Sequence, residues 1–213
     1  MTEKILEKLS ERYTLRELDA GDFASLRAAG MKFTVKAYFA EGLGQVSVMR
    51  AKGFFGLMRM DTLIINPSLR DLPLYSYDRI FAMGNDTLIV ELYDTLAGDF
   101  DESALESAKS TSDVAERDPG AHWYDSIKLK SSISKKGKRD ATPSLDGLTL
   151  AHLDAYLSSG DDADFDEAKK AEKAKFYVDG LLSRGGPSTD VFKKTLGEEK
   201  TKKLFYEVLF GIK

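Results

Sequence analysis

"INPSLRDLPLYSYDRIFAMGNDTLIVELYDT", residues 65–95, is the stretch that indicates the fold of this chain. Two apolar segments, "YDRIFAMG" and "TLIVELYDT", flank the short link "GND", where Gly and Asn tolerate the positive φ angles of a tight hairpin. Strands joined by links this short form an antiparallel meander rather than βαβ units. The stretch also carries three carboxylates on or beside its strands: Asp78, Glu91 and Asp94.

Outward from this hairpin, strands continue toward the N-terminus and helical patterns lie at both ends of the chain. Alternating apolar residues predict strands in "MKFTVKAYFA", "QVSVMRA" and "FFGLMRMDTLIIN". One more strand, followed by a basic polar loop, is expected within residues 122–144. Residues 2–29 and several segments after residue 148 have helical spacing. These patterns predict an α/β/α sandwich with a central antiparallel sheet, in one domain spanning residues 1–213.

The composition excludes several kinds of chemistry. The chain has 213 residues, a net charge of −4 and no Cys, which rules out disulfides, Cys-ligated zinc, protein-held iron–sulfur clusters and a Cys nucleophile. With His122 and His152 as the only His residues, no metal site is predicted. The acidic charge balance argues against a nucleic-acid partner. The chain lacks a run of about 18 apolar residues and a signal-peptide core, which predicts no membrane partner and a cytoplasmic location.

Two acids on the strands are candidates for catalysis. Asp78 opens a strand after a rigid Pro turn, so its carboxyl group either caps the turn or projects into a cleft. A carboxyl group in an apolar pocket has a raised pKa and can hold a proton near neutral pH, as a general acid must. Asp61 lies in the apolar run "LMRMDTLII", where a charge needs a partner or a cavity. Arg59, two residues earlier on the same strand face, is the expected partner.

The densest positive run of the chain follows the only Trp. It consists of Lys128, Lys130, Lys135, Lys136, Lys138 and Arg139. Charge runs of this kind are usually solvated loops. The alternative is a docking patch for an acidic protein or an anionic ligand, acting through electrostatic steering.

Several of these segments together resemble the ferredoxin-dependent bilin reductases. "NPSLRDLPLYSYDRI" is similar to a family segment with a Pro, then "DLP", an aromatic pair and an Asp that opens the next strand. "GNDTLIVELYDTL" and "PGAHWYDSI" resemble the following hairpin and a Trp-containing motif. "GGPSTDVFKKTLGEEKTKKLFYEVLFG" is similar to the closing pair of helices. The resemblance covers roughly residues 55–97 and 118–213, and its specificity comes from the order and spacing of the motifs.

The resemblance implies an α/β/α sandwich, also found in red chlorophyll catabolite reductase, with a linear tetrapyrrole between the sheet and the C-terminal helices. It implies no bound metal or flavin, because reduced ferredoxin or flavodoxin supplies single electrons and side chains supply protons. In the family motif an Asp follows "LP" and an aromatic pair, and this Asp matches Asp78. A family His falls at Asp61 or Thr62, and two further family acids fall near Met49 and Gly186, where this chain has none.

The resemblance implies that the chain is an oxidoreductase that acts on a bilin. Asp78 is then expected to protonate the substrate, and Asp61 to assist. Basic residues are candidates for pairing with the propionates: Arg59, Arg79, Lys128 and Lys130. The segment 135–139 is the candidate docking surface for the electron donor. Glu91 and Asp94 are assigned structural or peripheral roles. The alternatives are a non-catalytic tetrapyrrole-binding or carrier protein on the same fold, and an interaction domain without a small ligand.

Overall fold

A computed structural model of the chain describes residues 1–160, 164–186 and 188–212. In these ranges eight strands form one sheet. The strands are β1 Leu15–Leu18, β2 Ser25–Ala28, β3 Met31–Ala40, β4 Gly44–Gly53, β5 Met58–Asn66, β6 Leu74–Ala82, β7 Asn85–Tyr93 and β8 Ile133–Lys138. Their order is β1-β3-β4-β5-β6-β7-β8, with β2 also paired to β3. Every pair is antiparallel, which confirms the predicted meander.

Helices cover both faces of the sheet. They are α1 Thr2–Ser10, α2 Ser103–Lys109, α3 Thr142–Ser158, α4 Glu167–Arg184, α5 Thr189–Leu196 and α6 Glu198–Lys203, which continues as a π-helical segment, Leu204–Phe210. One apolar core joins α1, α2 and α3 to one sheet face. A second core joins α4, α5 and the π-helical segment to the other face. The predicted α/β/α sandwich is therefore confirmed. None of the helices in the described ranges has the length and hydropathy to cross a bilayer.

The predicted helix over residues 2–29 is wrong beyond Ser10. The chain instead forms β1 and β2, which both pair with β3. Burial along β2 alternates, with Leu26 and Ala28 facing the core, so the period is that of a strand. Gly21 and Gly30 have φ angles of 52° and 74°, which interrupt any helix and allow the turns around β2. The backbone groups of β1 and β2 form their hydrogen bonds with the free edge of β3, whereas in a helix they would form them with one another.

The basic segment is less of a loop than the sequence predicts. Residues 133–138 form β8, which pairs with β7 at the edge of the sheet. Lys135 is 5% exposed, and its ammonium group donates to the carbonyl oxygens of Ser112 and Val114. Lys135 therefore cannot present a charge to a partner, and this part of the predicted docking patch is wrong. The side chains of Lys136, Lys138 and Arg139 remain exposed.

Gly180 on α4 leaves room for Trp123. A Cβ atom at this position would lie 2.1 Å from the indole ring, whose Nε1 donates to the Gly185 carbonyl oxygen at 2.9 Å. Gly180→Ala is therefore expected to displace the indole and to lower the free energy of unfolding by about 1–3 kcal/mol, the usual cost of overpacking. Because Trp123 is the only Trp, a shift in its fluorescence spectrum should accompany the loss measured by urea unfolding.

Gly147 on α3 is the matched control for this substitution. A Cβ atom there meets nothing within 4 Å. Gly147→Ala should raise the free energy of unfolding by about 0.5–1 kcal/mol, the difference in helix propensity between the two residues. Equal effects of the two substitutions would contradict the close packing of Trp123 on α4.

Candidate active site

A cavity of about 230 Å³ lies between the sheet and the C-terminal helices. Its floor consists of β5, β6 and β7 side chains that include Thr62, Asp78 and Glu91. Tyr177 of α4 and Phe210 of the π-helical segment close it from the opposite side. We call this space the sheet–helix cavity. A few polar groups opposite an aromatic wall are typical of ligand pockets.

Strand register brings the polar floor residues together. Thr62 lies directly opposite Asp78 on the neighbouring strand, and Ser76 lies opposite Glu91. Because side chains alternate along each strand, Asp78 and Glu91 project from the same face as diagonal neighbours. Two carboxyl groups from different strands therefore face one cavity.

Asp78 has the environment of a general acid. Burial raises its pKa from the ordinary value of 3.8 to about 6, the hydrogen bond from Thr62 acts in the opposite direction, and the Glu91 carboxylate adds to the rise. Thr62 donates its hydroxyl hydrogen to Asp78 Oδ1. A carboxyl group with this pKa is partly protonated near neutral pH, so it can donate a proton to a bound molecule.

Glu91 is the acid whose position the sequence analysis misjudged. The prediction was a structural or peripheral role, which did not include its place on the cavity floor. The Tyr93 hydroxyl donates to Glu91 Oε2 at 2.6 Å, and Lys128 Nζ lies 3.7 Å from Glu91 Oε1. A hairpin link of two residues pairs Ala82 with Asn85 and so fixes the register of β6 and β7. From that register, Glu91 could have been predicted as a neighbour of Asp78.

Asp94, in contrast, is structural, as expected. It lies just after β7, where its Oδ1 accepts hydrogen bonds from Lys173 Nζ of α4 at 2.9 Å and from the Leu96 amide at 3.1 Å. These bonds join α4 to the end of the sheet.

Aromatic rings form one wall of the cavity. The ring of Tyr93 stacks on that of Tyr177 with centroids 4.1 Å apart, and Tyr124 meets Tyr93 edge-on at 5.5 Å. The imidazole of His122 stacks on Tyr124 with centroids 4.8 Å apart. Arg117, at the rim, donates to Ser134 Oγ at 3.3 Å. Arg117 and His122 were not predicted as cavity residues, because both lie in an irregular segment without periodicity.

Asp61, Arg59 and Arg79 lie on the opposite face of the sheet from the cavity. The predicted ion pair is present, with Arg59 Nε 3.7 Å from Asp61 Oδ2. Asp61 lies opposite Arg79 in the register of β5 and β6. Strand alternation separates these three residues from Asp78 and Thr62, since neighbouring residues point to opposite faces. Their assignment to the substrate pocket does not fit this position.

Arg79 is part of a buried network that joins α3 to the sheet. It is 0% exposed and binds the Asp86 carboxylate through both Nε and Nη2, with Nη2 2.7 Å from Oδ2. Thr142 Oγ1 donates to Asp86 Oδ2 at 2.5 Å, and Asp146 Oδ1 lies 3.3 Å from Arg79 Nη2. Arg79 therefore has a structural role in positioning the start of α3.

The two predicted lysines have different surroundings. Lys128 lies next to the cavity through its contact with Glu91, and its Nζ is also 2.7 Å from Asp125 Oδ1. Lys130 is mostly exposed and pairs with Glu106 of α2 at 3.3 Å, on the side of the sheet away from the cavity. Of the four predicted cations, the structure brings only Lys128 near Asp78. In the described part of the chain no group of three or more metal-ligating acids and imidazoles is present.

The fold is an α/β/α sandwich with an antiparallel sheet of eight strands, and its cavity lies between the sheet and the C-terminal helices. No protein-family profile and no curated protein matches its sequence. Among solved structures, the fold is similar to that of phytochromobilin synthase from tomato, crystallised in complex with biliverdin. The TM-score is 0.73 at 13% sequence identity, and the match covers 99% of this chain and 81% of the tomato chain. The structural likeness confirms the resemblance at the level of the fold.

Proposed function

We propose that the protein reduces a linear tetrapyrrole, with single electrons from a ferredoxin or flavodoxin and a proton from Asp78. The observation that carries this proposal is a carboxyl group with a pKa of about 6 on the floor of an aromatic-walled cavity. Biliverdin, which the tomato structure of the same fold contains, is the first substrate to test.

Reduction of one double bond consumes two electrons and two protons. An external one-electron donor has to deliver the electrons one at a time. Asp78 in its neutral form gives the first proton to the substrate, takes up another from solvent and gives the second after the second electron has arrived. Glu91, the diagonal neighbour of Asp78, is the second acid within the cavity, and its charge raises the pKa of Asp78. The aromatic wall excludes water from the substrate, which keeps the pKa of Asp78 raised during the reaction.

Binding a tetrapyrrole requires the cavity to widen. Its volume of about 230 Å³ is below the roughly 300–1,000 Å³ of pockets that enclose mid-sized ligands. The segment with Pro119 and His122 forms part of the wall and has no regular secondary structure. We expect this segment to move outward when the substrate enters.

The carboxylate side chains of a bilin need cations at the rim. Arg117 lines the cavity, and Lys128 lies beside Glu91. We assign the propionates to these two residues, because Arg59, Arg79 and Lys130 lie away from the cavity.

The electron donor is proposed to dock at the exposed part of the basic segment, Lys136, Lys138 and Arg139. Ferredoxins and flavodoxins are acidic, so complementary charge would speed association. Replacing all three residues with Gln should raise the KM for the donor about tenfold or more at low salt. The affinity for biliverdin should stay the same. An unchanged KM would exclude this surface as the docking site.

One set of spectra tests the proposed reaction. Biliverdin is mixed with the protein and its absorption recorded, and reduced ferredoxin is then added under anaerobic conditions. A shift on mixing, followed by loss of the biliverdin band on reduction, supports a reductase. A shift without turnover with any donor would instead support the carrier protein. Absence of any spectral change with bilins would exclude both.

The rate of reduction is expected to fall as pH rises. Since the reaction needs the protonated form of Asp78, whose pKa is about 6, the rate should be highest below pH 6 and decline about tenfold per pH unit above it. Single-turnover rates measured between pH 5 and 8 with the donor pre-reduced would test this. A rate independent of pH over this range would contradict proton donation by Asp78.

A further inference from the structure

Three hairpin turns lie at one end of the sheet, which we call the tip end. They connect β2 to β3, β4 to β5 and β6 to β7. The strand registers place their last paired residues along one line across the sheet, for example Gly53 opposite Met58 and Met58 opposite Ala82. The turns therefore project side by side beyond the end of the sheet.

Large apolar side chains project from two of these turns. Phe55 is 109% exposed, Met83 is 93% exposed and Leu57 is 75% exposed. Among the other side chains whose burial the structure describes, Leu69 and Phe176 are 44% and 53% exposed. Scattered single apolar residues are normal on a surface and need no explanation, but here three of the most exposed ones lie on two neighbouring turns.

The backbone at two of these tips is strained at the exposed apolar residues themselves. Phe55 and Met83 have φ angles of 55° and 51°, a region that Gly and Asn adopt readily and bulky side chains rarely do. Ala29, in the third turn, is the remaining non-Gly residue with positive φ among the described residues. Strain of this kind persists where a side chain is used, and Asn would relieve it here at the loss of the apolar group.

A row of cations lies just behind the apolar tips. Arg27, Lys32, Lys52 and Arg59 lie on four adjacent strands and are directly opposite one another in register. All four are exposed. Like charges that lie opposite each other on neighbouring strands repel. Such a row of cations is notable in a chain whose net charge is −4. Lys52 is three residues from Phe55, within about 10 Å at the strand rise per residue.

We propose that the tip end binds the surface of an anionic lipid bilayer. Phe55, Leu57 and Met83 insert between the headgroups, and the cationic row contacts lipid phosphates and carboxylates. The spacing of apolar and basic groups matches the roughly 5–10 Å over which interfacial segments enter a membrane. A fluid bilayer accepts separate projecting side chains, whereas a folded acidic protein would need a matching pocket for each. The expectation of no membrane partner rested on the lack of a span, which peripheral binding does not require.

Vesicle sedimentation tests this proposal without any bilin. The full chain is mixed with phosphatidylcholine vesicles, with or without about a third phosphatidylserine. Binding should occur on the anionic vesicles at about 0.1 M salt and be lost near 1 M, where the Debye length shrinks to about 3 Å. Equal binding to neutral vesicles, or none to anionic ones, would overturn the proposal.

Three variants separate the contributions of the surface. Phe55→Asn with Leu57→Ser and Met83→Asn should fold at least as well as the parent, because Asn tolerates the positive φ, and should weaken binding by at least about tenfold. Arg27→Gln with Lys32→Gln and Lys52→Gln should weaken it by about 100-fold, roughly fivefold per cation, and leaves Arg59 paired with Asp61. The control Lys194→Gln with Lys200→Gln and Lys202→Gln makes the same charge change on α5 and α6 and should bind normally.

Two further outcomes would reject the lipid assignment. Equal weakening by the control would show that net charge alone drives binding. Retention on immobilised polyglutamate without binding to vesicles would instead assign the tip end to an acidic protein. Melting temperatures of all variants, compared with that of the parent, exclude unfolding as the cause of any loss.

Discussion

Asp78→Asn is expected to slow bilin reduction by about 10²- to 10⁴-fold, the usual contribution of a positioned general acid. Asn has nearly the shape of Asp and can still accept the hydrogen bond from Thr62 through its Oδ1, but it has no acidic proton. The affinity for biliverdin should change little, because the size and polarity of the cavity floor are kept. Single-turnover rates with reduced ferredoxin and absorption titrations measure the two quantities separately.

The same substitution should make the protein more stable at pH 7, by about 1–3 kcal/mol. The pKa of Asp78 is about 6 in the folded chain against an ordinary value of 3.8, so the folded state holds this proton more tightly. The resulting stability is fully present below pH 3.8 and is lost as pH rises through 6. At pH 7 the partly buried carboxylate destabilises the fold, and Asn removes that cost. Urea unfolding at pH 5 and pH 7 should show a smaller pH dependence in the variant.

Asp61→Asn is the matched control for Asp78→Asn. Both acids lie on the central strands, but Asp61 is on the opposite face of the sheet and contacts Arg59. Its substitution should leave the rate of reduction within about twofold of the parent, since no cavity residue changes. A normal rate in Asp78→Asn, or an equal loss in Asp61→Asn, would show that the proton donor is misassigned.

Asp86→Ala is expected to lower the free energy of unfolding by about 3–5 kcal/mol, as removal of one partner from a buried ion pair usually does. Arg79 would keep its buried charge without the carboxylate that both Nε and Nη2 now bind. Thr142 would also lose its acceptor, so the first turn of α3 should loosen. Urea unfolding measures the loss, and hydrogen exchange of the α3 amides locates it.

The exposed pair of Lys36 and Glu17 provides the comparison. Their side chains are 3.2 Å apart and 60% and 58% exposed. Glu17→Ala should change stability by less than about 1 kcal/mol, because solvent screens such pairs. If Asp86→Ala were equally mild, Arg79 would not be the structural anchor of α3, and a role for it in ligand binding would need to be reconsidered.

The hairpin stretch alone was sufficient to predict the antiparallel meander. It placed Asp78 at the start of a strand, however, whereas the residue lies in the middle of β6, Leu74–Ala82. Local pattern was misleading at the N-terminus, where β1 and β2 replace a predicted helix because the free edge of β3 pairs with them. It was misleading again at Lys135, whose charge is buried on β8. In both places contacts distant in sequence outweighed local propensity.

The sequence by itself determined the antiparallel sheet and the helices after residue 148, because period and turn chemistry are local properties. The choice of Asp78 as the candidate proton donor came from its match to the family motif. Only the tertiary structure decided which charges share a cavity. Strand register placed Glu91 beside Asp78 and moved Asp61 and Arg79 to the other face. Helix packing then enclosed Asp78 and raised its pKa, since desolvation depends on everything that surrounds a group.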